Sequence, residues 1–188
     1  TMFKSVKESN IEKGNFLSLF KTSERFIKFI TIILVALPVW YVMGILITFC
    51  PELMKSLGME TPPDNARLAM TLAYVGITIG DIVSGVVSQK LQSRKKSLVL
   101  FLLLALLFVV GYFTIAKNSV VMFYTVVVLI GFATGYWAVF ISTASELFGT
   151  NLRATVTTSV PNFVRGGTIL ITTLFQYFSK IESIGNIY

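Results

Sequence analysis

The stretch from Gly80 to Lys96, GDIVSGVVSQKLQSRKK, carries an aspartate inside a long apolar run and then stops that run with basic residues. Four of them fall within seven positions: Lys90, Arg94, Lys95 and Lys96. Basic residues grouped directly after such a run are typical of the cytoplasmic end of a membrane-spanning helix. A carboxylate within the span is costly unless it is paired, protonated or in contact with water, so Asp81 is a candidate functional residue.

The composition of the chain agrees with a membrane protein. Of its 188 residues 54% are hydrophobic and only 13% are charged, and the mean hydropathy is +0.77, too apolar for a soluble domain of this size. The chain has no histidine and one cysteine, which argues against a disulfide framework, a Cys/His zinc site and a histidine-based catalytic triad. We therefore expect no metal, no cofactor and no enzymatic activity. The net charge of +7 lies at the ends of apolar runs, so it indicates topology and not nucleic-acid binding.

Five apolar runs are long enough to cross a bilayer as helices, at about 26–50, 66–91, 97–116, 119–145 and 154–179. They predict an all-α integral membrane protein, in which residues 1–25 form a polar cytoplasmic segment and residues 26–188 form a bundle of five transmembrane helices. The start of the fifth helix has two possible positions, Ala154 and Pro161, since proline suits the first turn of a helix.

The distribution of basic residues predicts the orientation of the bundle. Eleven of the sixteen Lys and Arg residues lie in the N-terminal segment, the second turn and the fourth turn. The positive-inside rule places these on the cytoplasmic side, which puts the N-terminus inside and Tyr188 outside. We expect the protein in a plasma membrane or a bacterial inner membrane.

Two loop segments carry a resemblance to a known family. The first follows the pattern of a glycine, a small residue, an acidic residue and several basic residues, and its positions here are Gly85, Ser88, Gln89, Lys90, Gln92, Ser93 and Arg94. The second is the segment ASELFGTNLRATVTTSVPNFVRGG, with Glu146, Phe148 and Arg153 around a short turn, then Arg165. Both resemble inner loops of the major facilitator superfamily, although Gln89, Gln92 and Ser93 depart from the residues that the family prefers.

The resemblance implies the fold and the partners. It covers the region from the central cytoplasmic loop to the eleventh helix of a twelve-helix major facilitator fold, so the five spans correspond to helices seven to eleven. The implied partners are the lipid bilayer, a small-molecule substrate and the missing N-terminal half of the transporter. No nucleic acid is implied.

Charged residues divide into intramembrane and loop positions. Asp81 lies about 21 Å from the outer end of its helix and about 14 Å from the inner end. Three roles fit it: a structural ion pair or hydrogen-bond network, proton coupling, and substrate contact. Arg165 is its expected partner, because a helix starting at Ala154 brings it to similar depth. At the cytoplasmic face the candidates for gating are Lys90, Arg94, Glu146 and Arg153, and Lys90 and Arg94 also fit a simple topology anchor.

Aromatic and glycine residues mark the lining and the packing of the bundle. Four aromatic residues are candidates for the substrate cavity or, alternatively, for interhelical packing: Trp40, Tyr41, Tyr136 and Trp137. Two GxxxG patterns begin at Gly76 and at Gly131, and they indicate close helix packing.

The function expected from these features is that of a secondary active, proton-coupled transporter of a small polar metabolite. Arg165 and the aromatic residues favour an organic acid, which would move by alternating access. The alternatives are a non-transporting membrane sensor or assembly protein built on the same bundle, and a sugar-type porter.

Overall fold

A computed structural model describes residues 16–59, 66–148 and 150–185, with side chains described as far as residue 178. Most of the expected cytoplasmic segment, residues 1–15, lies outside the described part of the chain. Within it the protein is helical apart from short turns, and no strand occurs. The all-α fold is confirmed.

Seven α-helices follow one another in the described residues: α1 (Ser23–Tyr41), α2 (Cys50–Ser56), α3 (Ala66–Lys90), α4 (Arg94–Thr114), α5 (Val120–Thr134), α6 (Trp137–Leu147) and α7 (Thr150–Gly185). A π-helical segment, Val42–Ile47, continues α1. Serine side chains define two helix starts, since Ser93 accepts a hydrogen bond from the backbone N–H of Lys96 (3.4 Å) and Ser119 from that of Met122 (3.2 Å).

Four helical stretches of the described part are long and apolar enough to cross a membrane: Ser23–Ile47, Ala66–Lys90, Arg94–Asn118 and Val120–Leu147. The protein is thus an integral membrane protein. Helix α7 is not among these four, because threonines and other polar residues lower the apolarity of its sequence. Its passage through the membrane stays a prediction.

Helices α3 and α5 pack against each other through the two GxxxG patterns. A Cβ atom at Gly76 would overlap the carbonyl oxygen of Val128, and one at Gly131 would overlap that of Ala73. Neither overlap can be relieved by rotating a side chain, because the atoms that are met belong to the backbone. The sequence prediction of close helix packing therefore corresponds to direct contact between these two helix backbones.

Two tyrosine hydroxyls support irregular parts of helix α1 and the segment after it. Pro38 lies inside α1, and one turn before it the carbonyl of Val35 accepts a hydrogen bond from the hydroxyl of Tyr136 (2.9 Å). In the π-helical segment the carbonyl of Leu46 accepts one from the hydroxyl of Tyr112 (2.6 Å). Both hydroxyls come from other parts of the bundle, Tyr112 from α4 and Tyr136 from the residues just before α6, and such bonds are how a membrane bundle accommodates irregular helical turns.

The structure excludes Pro161 as the start of helix α7, one of the two positions expected for the fifth span. It begins at Thr150 and continues through Pro161 without a break. Asn162 donates its side-chain amide to the carbonyl of Thr158 (3.0 Å), so a polar group remains beside the backbone where the proline ring interrupts the regular hydrogen bonds. Pro161 is therefore a residue within the helix and not its first turn. Arg165 lies fifteen residues from the start, about 22 Å along the axis.

Candidate functional site

A cavity of about 270 Å³ lies where five helices converge, and we call it the central cavity. Its lining comes from α1 and the π-helical segment, from α3, from the junction of α5 and α6, and from α7. The lining residues are Val39, Trp40, Met43, Tyr74, Ile77, Asp81, Thr134, Trp137 and Arg165. The structure thus brings together Asp81, Arg165 and two of the four candidate aromatic residues.

The two tryptophans and Arg165 form one wall of the central cavity. The rings of Trp40 and Trp137 meet edge to face, with centroids 6.3 Å apart at an angle of 76°. The guanidinium carbon of Arg165 lies 5.8 Å from the centroid of Trp40, a distance at which a cation is attracted to the ring face. The aromatic face holds the guanidinium near the cavity without neutralising its charge.

Asp81 does not form the ion pair with Arg165 that the sequence suggested. Its Oδ1 accepts a hydrogen bond from the backbone N–H of Ala138 (3.2 Å), and among the described residues it has no cation within 4.0 Å. The physical reason is a break between α5 and α6, at Gly135 and Tyr136. The break exposes the N–H groups at the start of α6 to the carboxylate of α3.

The two tyrosine candidates lie elsewhere. Tyr136 is fully buried in the hydrophobic core, where its hydroxyl donates a hydrogen bond to the carbonyl of Val35. Tyr41 packs partly buried against a second cluster of core residues around Leu46 and Tyr112. Neither lines the central cavity. Tyr41 projects from a different side of α1 than its neighbour Trp40, and Tyr136 lies at the break between α5 and α6, which turns its side chain into the core.

Five lining residues were not predicted from the sequence: Val39, Met43, Tyr74, Ile77 and Thr134. Tyr74 lies seven residues before Asp81, which is about two helical turns, so a projection of α3 would have placed both on one face. Met43 faces the cavity from the π-helical segment, and Thr134 faces it from the last residue of α5. No local pattern in the sequence marks either feature.

A larger cavity of about 620 Å³ lies beside the basic turn, and we call it the basic-turn cavity. Arg94 and Glu146, which line it, form an ion pair with 2.6 Å between guanidinium nitrogen and carboxylate oxygen. The pair joins the start of α4 to the end of α6. The partner of Glu146 is therefore a basic residue at the start of α4. Arg153 and Lys90 are exposed and form no ion pair within the described residues.

We expect the Arg94–Glu146 pair to contribute modestly to stability. Its side chains are 41% and 53% exposed, and solvent-exposed ion pairs contribute about 1 kcal/mol or less. Arg94→Glu should lower the Tm by about 2 to 4 °C, and the double variant Arg94→Glu/Glu146→Arg should recover most of this loss. Thermal unfolding of the purified protein in detergent measures both. A double variant no more stable than Arg94→Glu would show that the two side chains do not interact.

The fold and the central cavity define a class of protein. A membrane-embedded helical bundle with a polar cavity beside a discontinuous helix is an architecture found in secondary transporters. The family model of the Major Facilitator Superfamily matches residues 3–172. The chain therefore belongs to the major facilitator superfamily, a family of membrane transporters. No curated protein and no solved structure matches it in the same comparisons.

Proposed function

We propose that the protein is a proton-coupled secondary transporter that moves a small organic acid by alternating access. The observation that carries this proposal is the central cavity, in which Arg165 and Asp81 supply opposite charges beside two tryptophans. The chain would form the C-terminal half of the transporter, with its helices corresponding to helices seven to eleven.

The chemistry of the cavity wall supports an anionic substrate. Arg165 presents a guanidinium, whose planar donors match the two oxygens of a carboxylate. Trp40 and Trp137 supply an apolar surface for the rest of the molecule. At about 270 Å³ the cavity is smaller than the 300 to 1,000 Å³ typical of sites for drug-sized ligands. A small metabolite with one or two carboxylates fits these properties.

The exposure of Arg165 supports a second bundle. Arg165 is exposed in the described chain, although it lies about 22 Å along α7. An arginine at such depth is costly against lipid, so it would face a protein-lined or water-filled space. An N-terminal half packed over the central cavity would provide that space, and rocking of the two halves would open it to either side. We place the N-terminus in the cytoplasm and Tyr188 outside, in a plasma or bacterial inner membrane.

Proton coupling is assigned to Asp81 and is tested with Asp81→Asn. Uptake of radiolabelled mono- and dicarboxylates, with a hexose included, is measured in cells that express the natural full-length protein. We expect wild type to accumulate one of the acids when an inward proton gradient is imposed. Asp81→Asn should retain exchange of that acid across the membrane but lose its accumulation, because an amide cannot carry the proton.

Three outcomes would contradict the proposal. Accumulation by Asp81→Asn equal to that of wild type would remove proton coupling through this residue. Uptake of the hexose in preference to every acid would favour a sugar-type porter. Surface expression of wild type without uptake of any compound would favour the non-transporting sensor or assembly protein.

A further inference from the structure

Helix α6 starts inside the bundle without a cap of its own. Its N-cap residue, Tyr136, makes no side-chain hydrogen bond to the first turn, although the first N–H groups of a helix need partners from outside the helix. Asp81 provides one of these partners, since its Oδ1 accepts from Ala138 at 3.2 Å. A side chain of α3 thus does what a capping residue of α6 would ordinarily do.

The backbones at this point are close enough for such a cap. A Cβ atom at Gly135 would lie 2.6 Å from Cα of Gly80 and 2.7 Å from the backbone nitrogen of Asp81. These distances are too short for any side chain, so only glycine fits at position 135. The break between α5 and α6 therefore rests directly on the turn of α3 that carries Asp81.

The capped turn separates the two cavities. Trp137, the first residue of α6, lines the central cavity, whereas Ala138 and Val139 line the basic-turn cavity. A movement of this turn would change the shape of both. Besides Asp81, the described lining of the central cavity contains one charged side chain, that of Arg165 on α7, and one further titratable side chain, that of Tyr74.

We propose that Asp81 is a positioning residue, which holds the start of α6 through the N–H of Ala138 and thereby sets the place of Trp137 in the substrate cavity. This role needs a hydrogen-bond acceptor at position 81 and not a negative charge. It is therefore separable from proton coupling, which needs a group that gains and loses a proton. The inference rests on the proposed function only in taking the central cavity as the substrate site.

The first test compares Asp81→Asn with Asp81→Val in the natural full-length protein. Asparagine keeps an acceptor oxygen and caps helices about as well as aspartate, whereas valine has similar bulk and no acceptor. The emission and acrylamide quenching of Trp137, obtained by difference from Trp137→Phe, should match wild type in Asp81→Asn and change in Asp81→Val. For the acid that wild type takes up, KM should rise about tenfold in Asp81→Val relative to Asp81→Asn.

A second variant, Ala138→Pro, tests the same hydrogen bond in case Asp81→Val does not fold. Ala138→Pro removes the donor while leaving Asp81 in place, and proline is tolerated in the first turn of a helix. It should change the quenching of Trp137 in the same direction. The control is Thr78→Val on α3, because the hydroxyl of Thr78 is bonded within its own helix to the carbonyl of Tyr74. Thr78→Val should leave the emission and quenching of Trp137 unchanged.

The outcomes separate this inference from the proposed function. Quenching of Trp137 that is unchanged in both Asp81→Val and Ala138→Pro would overturn the positioning role, whatever the uptake assays give. Changed quenching in both variants would support it even if Asp81→Asn still accumulated substrate, a result that would reject proton coupling alone.

Discussion

Replacing Arg165 with glutamine is expected to lower the uptake of an organic acid by about a hundredfold, which corresponds to about 3 kcal/mol of lost binding. The substitution leaves the carboxylate of the substrate without its cation in a cavity walled by tryptophans. Desolvated charges that lose their partner typically cost 2 to 5 kcal/mol, in part because the remaining charge stays unpaired. Initial rates of uptake over a range of substrate concentrations measure the effect.

Arg165→Lys and a matched control distinguish charge from geometry. Lysine keeps the positive charge but loses the planar guanidinium, which lies 5.8 Å from the ring centroid of Trp40 and can bind both carboxylate oxygens. We expect Arg165→Lys to retain partial uptake, between wild type and Arg165→Gln. Lys117→Gln, in the exposed turn between α4 and α5, removes the same charge away from both cavities and should leave uptake unchanged.

Uptake by Arg165→Gln close to that of wild type, with equal surface expression, would show that Arg165 does not bind the substrate. The cation–π contact with Trp40 would then be a packing contact, and the preference for an anionic substrate would lose its main support. An equal loss in Lys117→Gln would instead indicate an effect of net charge on membrane insertion.

Gly131→Ala is expected to destabilise the protein strongly although it adds only one methyl group. That methyl group would overlap the carbonyl oxygen of Ala73, so helices α3 and α5 would have to separate. Overpacking in a rigid core typically costs about 1 to 3 kcal/mol, which corresponds to a fall in Tm of about 2 to 12 °C. Thermal unfolding and the yield of monodisperse protein on size exclusion measure it.

Gly111→Ala is the matched control for this prediction. Gly111 lies inside α4, and the nearest atom that its Cβ would meet is Cδ1 of Ile115 at 4.0 Å. The substitution should leave the Tm unchanged or raise it, because alanine favours the helix over glycine. If Gly131→Ala unfolded at the temperature of Gly111→Ala, the contact between α3 and α5 would be looser than the structure describes.

The sequence predicted the parts of the structure that depend on local composition. Apolar length predicted five spans, of which four correspond to the helical stretches long and apolar enough to cross a membrane. Basic residues after Gln89 identified the end of α3. The GxxxG spacing identified Gly76 and Gly131 as packing positions, since residues four apart share a helix face. Trp40 and Trp137 were proposed as residues of the substrate cavity or of interhelical packing, and both line the central cavity. The assignment of roles to them is still a proposal.

The sequence did not predict the partner of Asp81, and it placed Tyr136 with the cavity residues. Both errors have one cause, the break between α5 and α6. The sequence from 119 to 145 is continuously apolar and therefore predicts one helix. In the structure α5 ends at Thr134 and α6 begins at Trp137. The break turns Tyr136 into the core and directs an N–H group toward Asp81.

Apolar length and basic flanks by themselves determined that this chain is a helical membrane protein. A spanning helix needs about 20 apolar residues to cross the hydrocarbon core, and basic residues are concentrated at its cytoplasmic end. Tertiary structure decided which polar groups meet. The hydrogen bond from Ala138 to Asp81, the cation–π contact of Arg165 with Trp40 and the ion pair of Arg94 with Glu146 each join residues that are more than fifty positions apart. Such pairs depend on how helices far apart in the sequence pack and, for Asp81, on the break before α6, which no local periodicity encodes.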